Sequence, residues 1–280
     1  MQNNMNNYQV YVNGKFVFEE DAKISFNDAG FMYGDGIFET IRFDNKKMFS
    51  PKQHIKRLRS GLKSMSINLT NDDLFLINLL NKMIKINPLN NGLLRLMITR
   101  GKIIGSPWNF RGSPNIYIKI REISKKPQCP VKVVFFNEKK YPIIRFNPAI
   151  KSMNYIGNMR AKNDAENFDA YEPVFYKDNL ITECAIRNIF FIKNKELLTP
   201  SLDLGVLPGV MRNTIIEISK LIGYKVNECH IKYDDINAMD EAFISSTGIG
   251  LLPVYWDHWI SNYEITKKIK KCLDDKISNL

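Results

Sequence analysis

The sequence is poor in cysteine and histidine. It has four cysteines, none in a C-x-x-C pair, and three histidines. Zinc sites are built from closely spaced cysteines and histidines, so this composition argues against a zinc site and gives no disulfide framework. Widely spaced thiols suit a reducing compartment, and we expect a cytoplasmic protein with no metal.

Long apolar runs are also missing. No run approaches the roughly 18–20 apolar residues that a membrane helix needs. Residues 1–7 are polar and lack the apolar region of a signal peptide. We therefore expect a soluble protein that has no membrane partner. The 280 residues are enough for one large domain or for two smaller ones, each with its own core.

Acidic residues are outnumbered by basic ones. The chain has 40 lysines and arginines against 29 aspartates and glutamates, which gives a net charge of +11. Such an excess can indicate a nucleic-acid partner. Here the basic residues are scattered and do not form one block beside stacking aromatic residues, so we expect a compositional bias and no nucleic-acid partner.

Hydrophobic periodicity predicts two domains of the α+β class. Residues 8–18 indicate a β-hairpin around Asn13-Gly14. Ser50-Pro51 is typical of a helix start, and Thr70 with Asp73 resembles a capping box that opens a second helix. Further strands are predicted at about residues 37–43, 93–99, 115–120, 131–136, 172–176, 188–192 and 242–245, and further helices at about 154–167, 210–222 and 264–279. The polar, proline-containing stretch 122–130 reads as a linker between domains 1–121 and 131–280, and we expect the ligand site in the cleft between them.

Five short segments could carry chemistry. Residues 31–40 place two glycines before a strand, which alone indicates only a tight turn. Lys151 stands at a predicted strand-to-helix junction, where a lone lysine is usually solvated. Glu183 lies in an apolar stretch, where an ionised carboxylate needs a partner. Residues 207–212 and 245–248 could bind an anion through backbone N–H groups.

The order and spacing of these segments resemble the class IV aminotransferase family, the fold-type IV enzymes that use pyridoxal 5′-phosphate (PLP). The resemblance extends over about residues 11–254. Its motifs are Y-G-D-G-x-F-E-T at 33–40, H-x-x-R-L at 54–58, I-K-S-x-N-Y at 150–155, T-E-x-x-x-x-N-I-F at 182–190 and L-P-G-x-x-R at 207–212. The resemblance implies PLP as cofactor, a two-domain fold like that of D-amino acid aminotransferase, and a homodimer.

The resemblance also implies roles for individual residues. Lys151 corresponds to the lysine that forms a Schiff base with PLP, and Glu183 to the partner of the pyridine nitrogen. Arg57 corresponds to the arginine that binds the cofactor phosphate, and Tyr155 to a tyrosine near the ring hydroxyl. The remaining residues implied in the phosphate site are Val210 and Met211, through backbone N–H groups, and Ser246 and Thr247.

Two departures from the family pattern stand out. Many relatives have threonine where this chain has Met211, so one phosphate hydroxyl is missing while the backbone donors should remain. Relatives often have small residues after the T-E pair, where this chain has residues 184–187. Within that stretch Arg187 is either a solvated charge or a residue at the mouth of the pocket.

The resemblance leaves two reactions open. One is transfer of an amino group from a branched-chain or D-amino acid to a 2-oxo acid, which residues 245–248 favour. The other is 4-amino-4-deoxychorismate lysis to pyruvate and 4-aminobenzoate, in the folate pathway. Thr40 favours the lyase, because its hydroxyl could assist proton transfer there, although it could equally be an ordinary strand residue.

Indications of the substrate are weaker. The segment 100–111 normally sets substrate choice in the family, but here it matches no subfamily motif. Arg100 and Arg111 are candidates for binding a substrate carboxylate, with a surface role as the alternative for each. Phe38 and Gly248 are candidates for contacting the substrate.

Overall fold

The computed structural model describes residues 8–106, 108, 112–127 and 130–280. The chain divides into two compact units. The first contains residues up to Ser124 together with Ile150–Asn154 and Leu280, and the second contains Lys125–Ala149 and Tyr155–Asn279. The segment around Lys151 thus lies with the first unit, whereas the division predicted at residues 122–130 places it with the second.

The first unit is built on an antiparallel sheet of six strands in the order β2-β1-β6-β5-β3-β4. The strands are β1 Gln9–Val12, β2 Lys15–Phe18, β3 Gly36–Asp44, β4 Lys47–Met48, β5 Gly92–Thr99 and β6 Asn115–Arg121. The predicted first hairpin is confirmed, and Asn13-Gly14 has the positive φ angles (41° and 103°) that a type I′ turn requires. A second turn of this kind, Asn45-Lys46, joins β3 to β4.

Three helices accompany this sheet: α1 Ala29–Tyr33, α2 Pro51–Ser64 and α3 Asp73–Ile86. The apolar stripe of α2, with Ile55, Leu58 and Leu62, packs into one core with the inward residues of β3 and β5 and the buried leucines of α3. The predicted capping box of α3 is wrong. The N-cap is Asp72, whose carboxylate accepts a 2.7 Å hydrogen bond from the backbone N–H of Phe75.

The second unit contains a mixed sheet of eight strands in the order β12-β11-β10-β13-β14-β7-β8-β9. Their bounds are β7 Val131–Asn137, β8 Glu172–Lys177, β9 Leu180–Cys184, β10 Asn188–Lys193, β11 Glu196–Pro200, β12 Val226–Cys229, β13 Glu241–Ser246 and β14 Gly250–Tyr255. The helices are α4 Ile156–Glu166, α5 Val210–Leu221 and α6 Glu264–Ser278. Strands β10 and β13 run through the centre of the sheet and are almost fully buried. Helices α5 and α6 pack against β13.

The α+β class predicted from the sequence is confirmed, because both units combine a sheet with helices. Over the part of the chain that the structure describes, every helix is too short or too polar to cross a membrane.

Candidate active site

A buried carboxylate, Glu39, pairs with two side chains of α2 in the first unit. Glu39 lies on β3, and its two oxygens accept hydrogen bonds from Arg57 on α2, at 2.7 Å from Nε and 2.6 Å from Nη2. Nδ1 of His54, one turn earlier on α2, lies 2.7 Å from Oε2. Burial alone would raise the pKa of Glu39, but the charge and hydrogen bonds of Arg57, together with His54, lower it to about 2. Glu39 is therefore ionised and fixes Arg57 in place.

His54 is completely buried in this cluster. Burial lowers the pKa of its imidazole, and the nearby charges of Arg57 and Lys151 act in the same direction, while Glu39 opposes them. The ring is therefore neutral at neutral pH, and the contact with Glu39 assigns the proton to Nδ1. The H-x-x-R spacing thus supplies two side chains from one helix face to the same carboxylate.

Lys151 is held beside β3 by backbone hydrogen bonds. The backbone N–H of Phe38 donates to the carbonyl oxygen of Lys151 (2.9 Å), and that of Met153 donates to Gly36 (2.9 Å). The side chain of Lys151 turns towards Phe38, with Nζ 4.7 Å from the centroid of its ring. The guanidinium of Arg95 also stacks on this ring, at 3.8 Å. The two backbone hydrogen bonds thus fix the Lys151 segment to strand β3.

Thr40 shares its sheet face with Phe38, because side chains two residues apart on a strand point the same way. It is half-buried and lies opposite Arg95 of β5. Glu39, between them, points to the opposite face and to α2. Arg95 is a cation near Lys151 that sequence reasoning missed, since a single arginine in a strand has no distinguishing motif.

The glycines of the Y-G-D-G segment have a geometric cause. Gly34 ends α1 with a φ of 65°, in the left-handed region that glycine adopts most easily. A Cβ on Gly36 would lie only 2.7 Å from the carbonyl oxygen of Ile98 and from the sulfur of Met153. The second glycine therefore lets the Lys151 segment and β5 approach the start of β3.

Arg100 is engaged with the same segment. It donates to the two oxygens of Asp35 (2.5 and 3.2 Å) and to the carbonyl oxygens of Met65 and Ser66 (2.7 and 3.1 Å) at the end of α2. These contacts give Arg100 a structural role, because it connects the Y-G-D-G segment to the end of α2. Arg111, the other arginine considered for a substrate carboxylate, lies outside the described residues.

In the second unit, Glu183 is held by an arginine that the sequence did not reveal. Arg145 donates from Nη1 to Oε1 of Glu183, and from Nε and Nη2 to the two oxygens of Glu138 at 3.0 and 2.8 Å. The backbone N–H of Leu207 donates to the other oxygen of Glu183 (3.1 Å). Arg145 stands among apolar residues in the sequence I-I-R-F, which is the one signal that could have indicated a buried, paired cation.

The start of α5 presents backbone donors. Its N-cap is Gly209, which has no side chain to cap the helix, so the N–H groups of Val210 and Met211 in the first turn lack an intrahelical partner. A Cβ on Gly209 would lie 2.1 Å from Oδ1 of Asn188, and Nδ2 of Asn188 donates to the carbonyl oxygen of Leu207 (3.0 Å). Asn188 therefore fixes the entry to α5 and requires glycine there.

Asn188 also connects α5 with the hydroxyl-rich turn, because it pairs with Ser245 across β10 and β13. Ser246 ends β13, and Thr247 and Gly248 follow in the half-buried turn before β14. The hydroxyl of Ser245 is buried and has no hydrogen-bond partner within the described ranges. An uncapped helix start and an unpaired hydroxyl, each next to Asn188, fit a phosphate group.

Two further residues complete the predicted set. Tyr155 is the N-cap of α4 and is half-buried, and its carbonyl oxygen accepts from the N–H of Met159 (2.9 Å). Arg187 is not solvated, so that interpretation was wrong: its guanidinium is buried, is paired with Glu172 and donates to the hydroxyl of Tyr171 (3.0 Å). Glu172 needs this charge because it is fully buried.

The fold defines the class of protein. It superimposes on a branched-chain aminotransferase of Thermoproteus uzoniensis with a TM-score of 0.89, covering 96% of this chain and 94% of the other at 23% identity. The fold is thus that of the fold-type IV enzymes. The sequence profile of the class IV amino-transferases matches residues 36–255, and this chain belongs to that family.

Relatives within the family carry several activities. A protein assigned as a branched-chain-amino-acid aminotransferase of Methanocaldococcus jannaschii is 33% identical over 95% of this chain and 96% of its own. The D-alanine aminotransferase of Listeria monocytogenes is 33% identical over 88% and 86%. The aminodeoxychorismate lyase of Bacillus subtilis is 31% identical over 87% and 85%. The family is PLP-dependent, and its members act as aminotransferases or lyases.

Proposed function

We propose that this protein is a PLP-dependent aminotransferase that transfers the amino group of a branched-chain or D-amino acid to a 2-oxo acid. The observation that carries the proposal is the similarity over 95% of the chain to a protein assigned as a branched-chain-amino-acid aminotransferase. The D-alanine aminotransferase relative supports the same reaction on the other class of amino acid. The two relatives match 95% and 88% of this chain.

Lys151 is the residue to which we assign the central role. Its Nζ would hold the cofactor covalently and would move a proton at the substrate α-carbon. When bound, PLP would supply an electron-accepting ring. The backbone pairing of Lys151 with β3 supports this role, because a proton shuttle has to be held in a fixed position.

The cofactor would be bound through three kinds of contact. We assign Glu183 to the pyridine nitrogen, where a carboxylate keeps the nitrogen protonated, and Tyr155 to the ring hydroxyl. Arg57 binds the phosphate with charged N–H donors. The phosphate site is completed by the backbone N–H groups of Val210 and Met211 and by Ser246 and Thr247. The uncapped start of α5 and the unpaired hydroxyl of Ser245 support this assignment.

For the substrate we propose contacts with Phe38 and Gly248. Phe38 presents its ring to Nζ of Lys151, which suits a residue that shapes the pocket beside the reacting amine. Arg111 stays a candidate for the substrate carboxylate. Arg100 is the weaker of the two arginine candidates, since it is engaged with Asp35 and the end of α2.

A second candidate function is 4-amino-4-deoxychorismate lyase, which releases pyruvate and 4-aminobenzoate. The relative from Bacillus subtilis supports it. So does Thr40, whose hydroxyl shares a sheet face with Phe38 and could act in proton transfer as a second catalytic group beside Lys151.

A substrate panel separates the two functions. Amino transfer to 2-oxoglutarate is measured from L-leucine, L-valine and D-alanine, and pyruvate release is measured from aminodeoxychorismate, with Lys151→Ala as the blank. We expect amino transfer from at least one of the three donors, well above the blank. Pyruvate release without any amino transfer would replace the proposal by the lyase.

We also propose that the chain acts as a homodimer in the cytoplasm. Apolar side chains are exposed close together in the first unit, with Phe26 77% and Phe31 63% exposed. Their neighbours Ile24, Met32 and Tyr33 are exposed too, and such patches often mark a protein interface. Sedimentation should give twice the chain mass of 32.5 kDa, and a fully active monomer would contradict the dimer.

The proposed cytoplasmic location is supported by the cysteines. Cys184, Cys229 and Cys272 are free thiols, which suits a reducing compartment.

A further inference from the structure

Three charged side chains of the second unit are connected by hydrogen bonds, because Arg145 contacts two carboxylates. Arg145 gives Nε and Nη2 to Glu138 and Nη1 to Glu183. The hydroxyl of Thr182 donates to Glu138 (3.1 Å) and accepts from Nη2 of Arg145 (3.2 Å). We call these three ionisable residues the Glu138–Arg145–Glu183 cluster.

The cluster carries one positive and two negative charges. Burial by itself would lower the pKa of Arg145, but Glu183 and Glu138 raise it further than burial lowers it, so the guanidinium keeps its charge. Glu138 is buried, and an ionised carboxylate is retained in such a place only when it is paired. The cluster therefore has a net charge of −1.

The guanidinium of Arg145 makes more hydrogen bonds to Glu138 than to Glu183. Glu138 receives the paired, fork-like contact from Nε and Nη2, which is the stronger geometry for a carboxylate. Glu183 receives Nη1 on one oxygen and the N–H of Leu207 on the other. A carboxylate has about four lone-pair sites, so the two contacts orient Glu183 and leave sites for another donor.

We propose that Glu138 and Arg145 are positioning residues that act through Glu183: Arg145 aims the carboxylate, and Glu138 neutralises Arg145 so that Glu183 keeps its negative charge for the ring nitrogen of the cofactor. This inference rests on the proposed function. Without the charge of Glu138, the guanidinium would compensate Glu183 itself. Glu183 would then hold the proton on the ring nitrogen less firmly, although every atom around it stayed in place.

The test uses the holoenzyme loaded with PLP that carries nitrogen-15 in its ring, since the chemical shift of that nitrogen reports its protonation. The wild type should give the protonated shift at neutral pH. Glu138→Gln, which removes the charge at nearly constant shape, should move the shift towards the unprotonated value. Its kcat should fall about tenfold, equivalent to one pKa unit of the nitrogen, with little change in KM.

Thr182→Val is the matched control, because it removes hydrogen bonds from the same cluster without changing its charge. It should keep the protonated shift, and Glu138→Asp should restore most of it. A shift in Thr182→Val as large as that in Glu138→Gln would assign the effect to packing and overturn the proposal. An unchanged nitrogen shift in folded, PLP-loaded Glu138→Gln would overturn it too.

Arg145→Lys tests the charge balance independently, even if Glu138→Gln does not fold. A lysine keeps the positive charge but cannot serve both carboxylates with a fork, so the ring nitrogen should stay protonated while kcat falls. An unprotonated nitrogen in this variant would contradict the proposal. The proposed function is tested separately, by whether the wild type binds PLP and transfers amino groups, so its failure is distinguishable from a failure of the Glu138–Arg145–Glu183 proposal.

Discussion

Each unit of the molecule contains a buried glutamate paired with an arginine, but the expected roles are reversed. In the first unit Glu39 supports Arg57, the residue that we propose for the cofactor phosphate. In the second unit Arg145 supports Glu183, the residue that we propose for the ring nitrogen. The residue that would touch the cofactor is the cation in one unit and the anion in the other.

The supporting partners differ accordingly. The neutral His54 assists Glu39, so the first cluster has no net charge and offers directed N–H donors. A second carboxylate, Glu138, assists Arg145, so the other cluster has a charge of −1. In both clusters, a charged side chain that is largely removed from water is paired with a residue of opposite charge: Arg57 with Glu39, and Glu183 with Arg145. This pairing offsets part of the free-energy cost of burying the charge. Net charge and orientation are thus set by the supporting residue.

The largest expected effect is on turnover, and it comes from replacing Glu183, the carboxylate that we propose for the ring nitrogen. Glu183→Gln should retain PLP but lower kcat by about 10²-fold or more, since an amide cannot hold the ring nitrogen protonated. Bound PLP is measured by absorbance after denaturation, and kcat by amino transfer. The exposed Glu166→Gln serves as control and should behave as the wild type. Near-normal turnover in Glu183→Gln would show that another group pairs with the nitrogen.

Replacing Glu39, the carboxylate that supports Arg57, should affect the stability of the folded protein. Glu39 has a pKa of about 2, below the ordinary 4.5, so its charge stabilises the folded state above pH 4.5 and this contribution is lost as the pH falls towards 2. At neutral pH, Glu39→Gln should lower the free energy of unfolding by about 3 kcal/mol, the equivalent of that difference in pKa. Urea unfolding at several pH values should show the gap to the wild type narrowing in acid. A gap that widens in acid would refute the assignment.

Replacing Arg57 should affect the affinity for PLP more than it affects turnover. Arg57→Ala removes a charge-assisted contact with the phosphate and should weaken PLP binding by about 1.5–3 kcal/mol. Arg57→Lys keeps the charge without the fork that matches Glu39 and should lie between the two. Equilibrium titration of the apoprotein with PLP measures the change. An unchanged dissociation constant in Arg57→Ala would remove Arg57 from the phosphate site.

The smallest effect is expected at Thr40. Thr40→Val keeps the shape and removes the hydroxyl, and in an aminotransferase it should cost little, because Lys151 moves the proton. In a lyase the same change should lower pyruvate release by about 10²-fold. Both activities are measured in both chains. A wild type with measurable lyase activity that survives the substitution unchanged would refute the catalytic role of Thr40.

Local signals account for the elements that the sequence predicts well. Asn13-Gly14 identifies the first hairpin, and the repeat of Ile55, Leu58 and Leu62 identifies α2. Strands β9, β11, β12 and β14 and the short elements α1 and β4 were missed. The missed strands have four to six residues, and most lack the clear alternation of a half-buried strand, so their pattern resembles a loop or a helix segment.

The support residues of the site were missed for another reason. Glu183 and Lys151 stand in motifs that resemble the family, whereas Arg145 lies 38 positions from Glu183 and its partner Glu138 lies seven positions before it. Only the folded chain brings the three side chains together. Arg187 shows the same limit, because its charge is paired with Glu172, 15 positions away on β8.

The central claim, that Lys151 carries the cofactor, has one direct measurement. The PLP-loaded protein is reduced with borohydride, which fixes the cofactor on the lysine that holds it, then digested and mapped by mass spectrometry. The account predicts a phosphopyridoxyl group on Lys151, and an unlabelled, inactive Lys151→Ala chain. A label on any other lysine, or turnover by Lys151→Ala, would contradict the account.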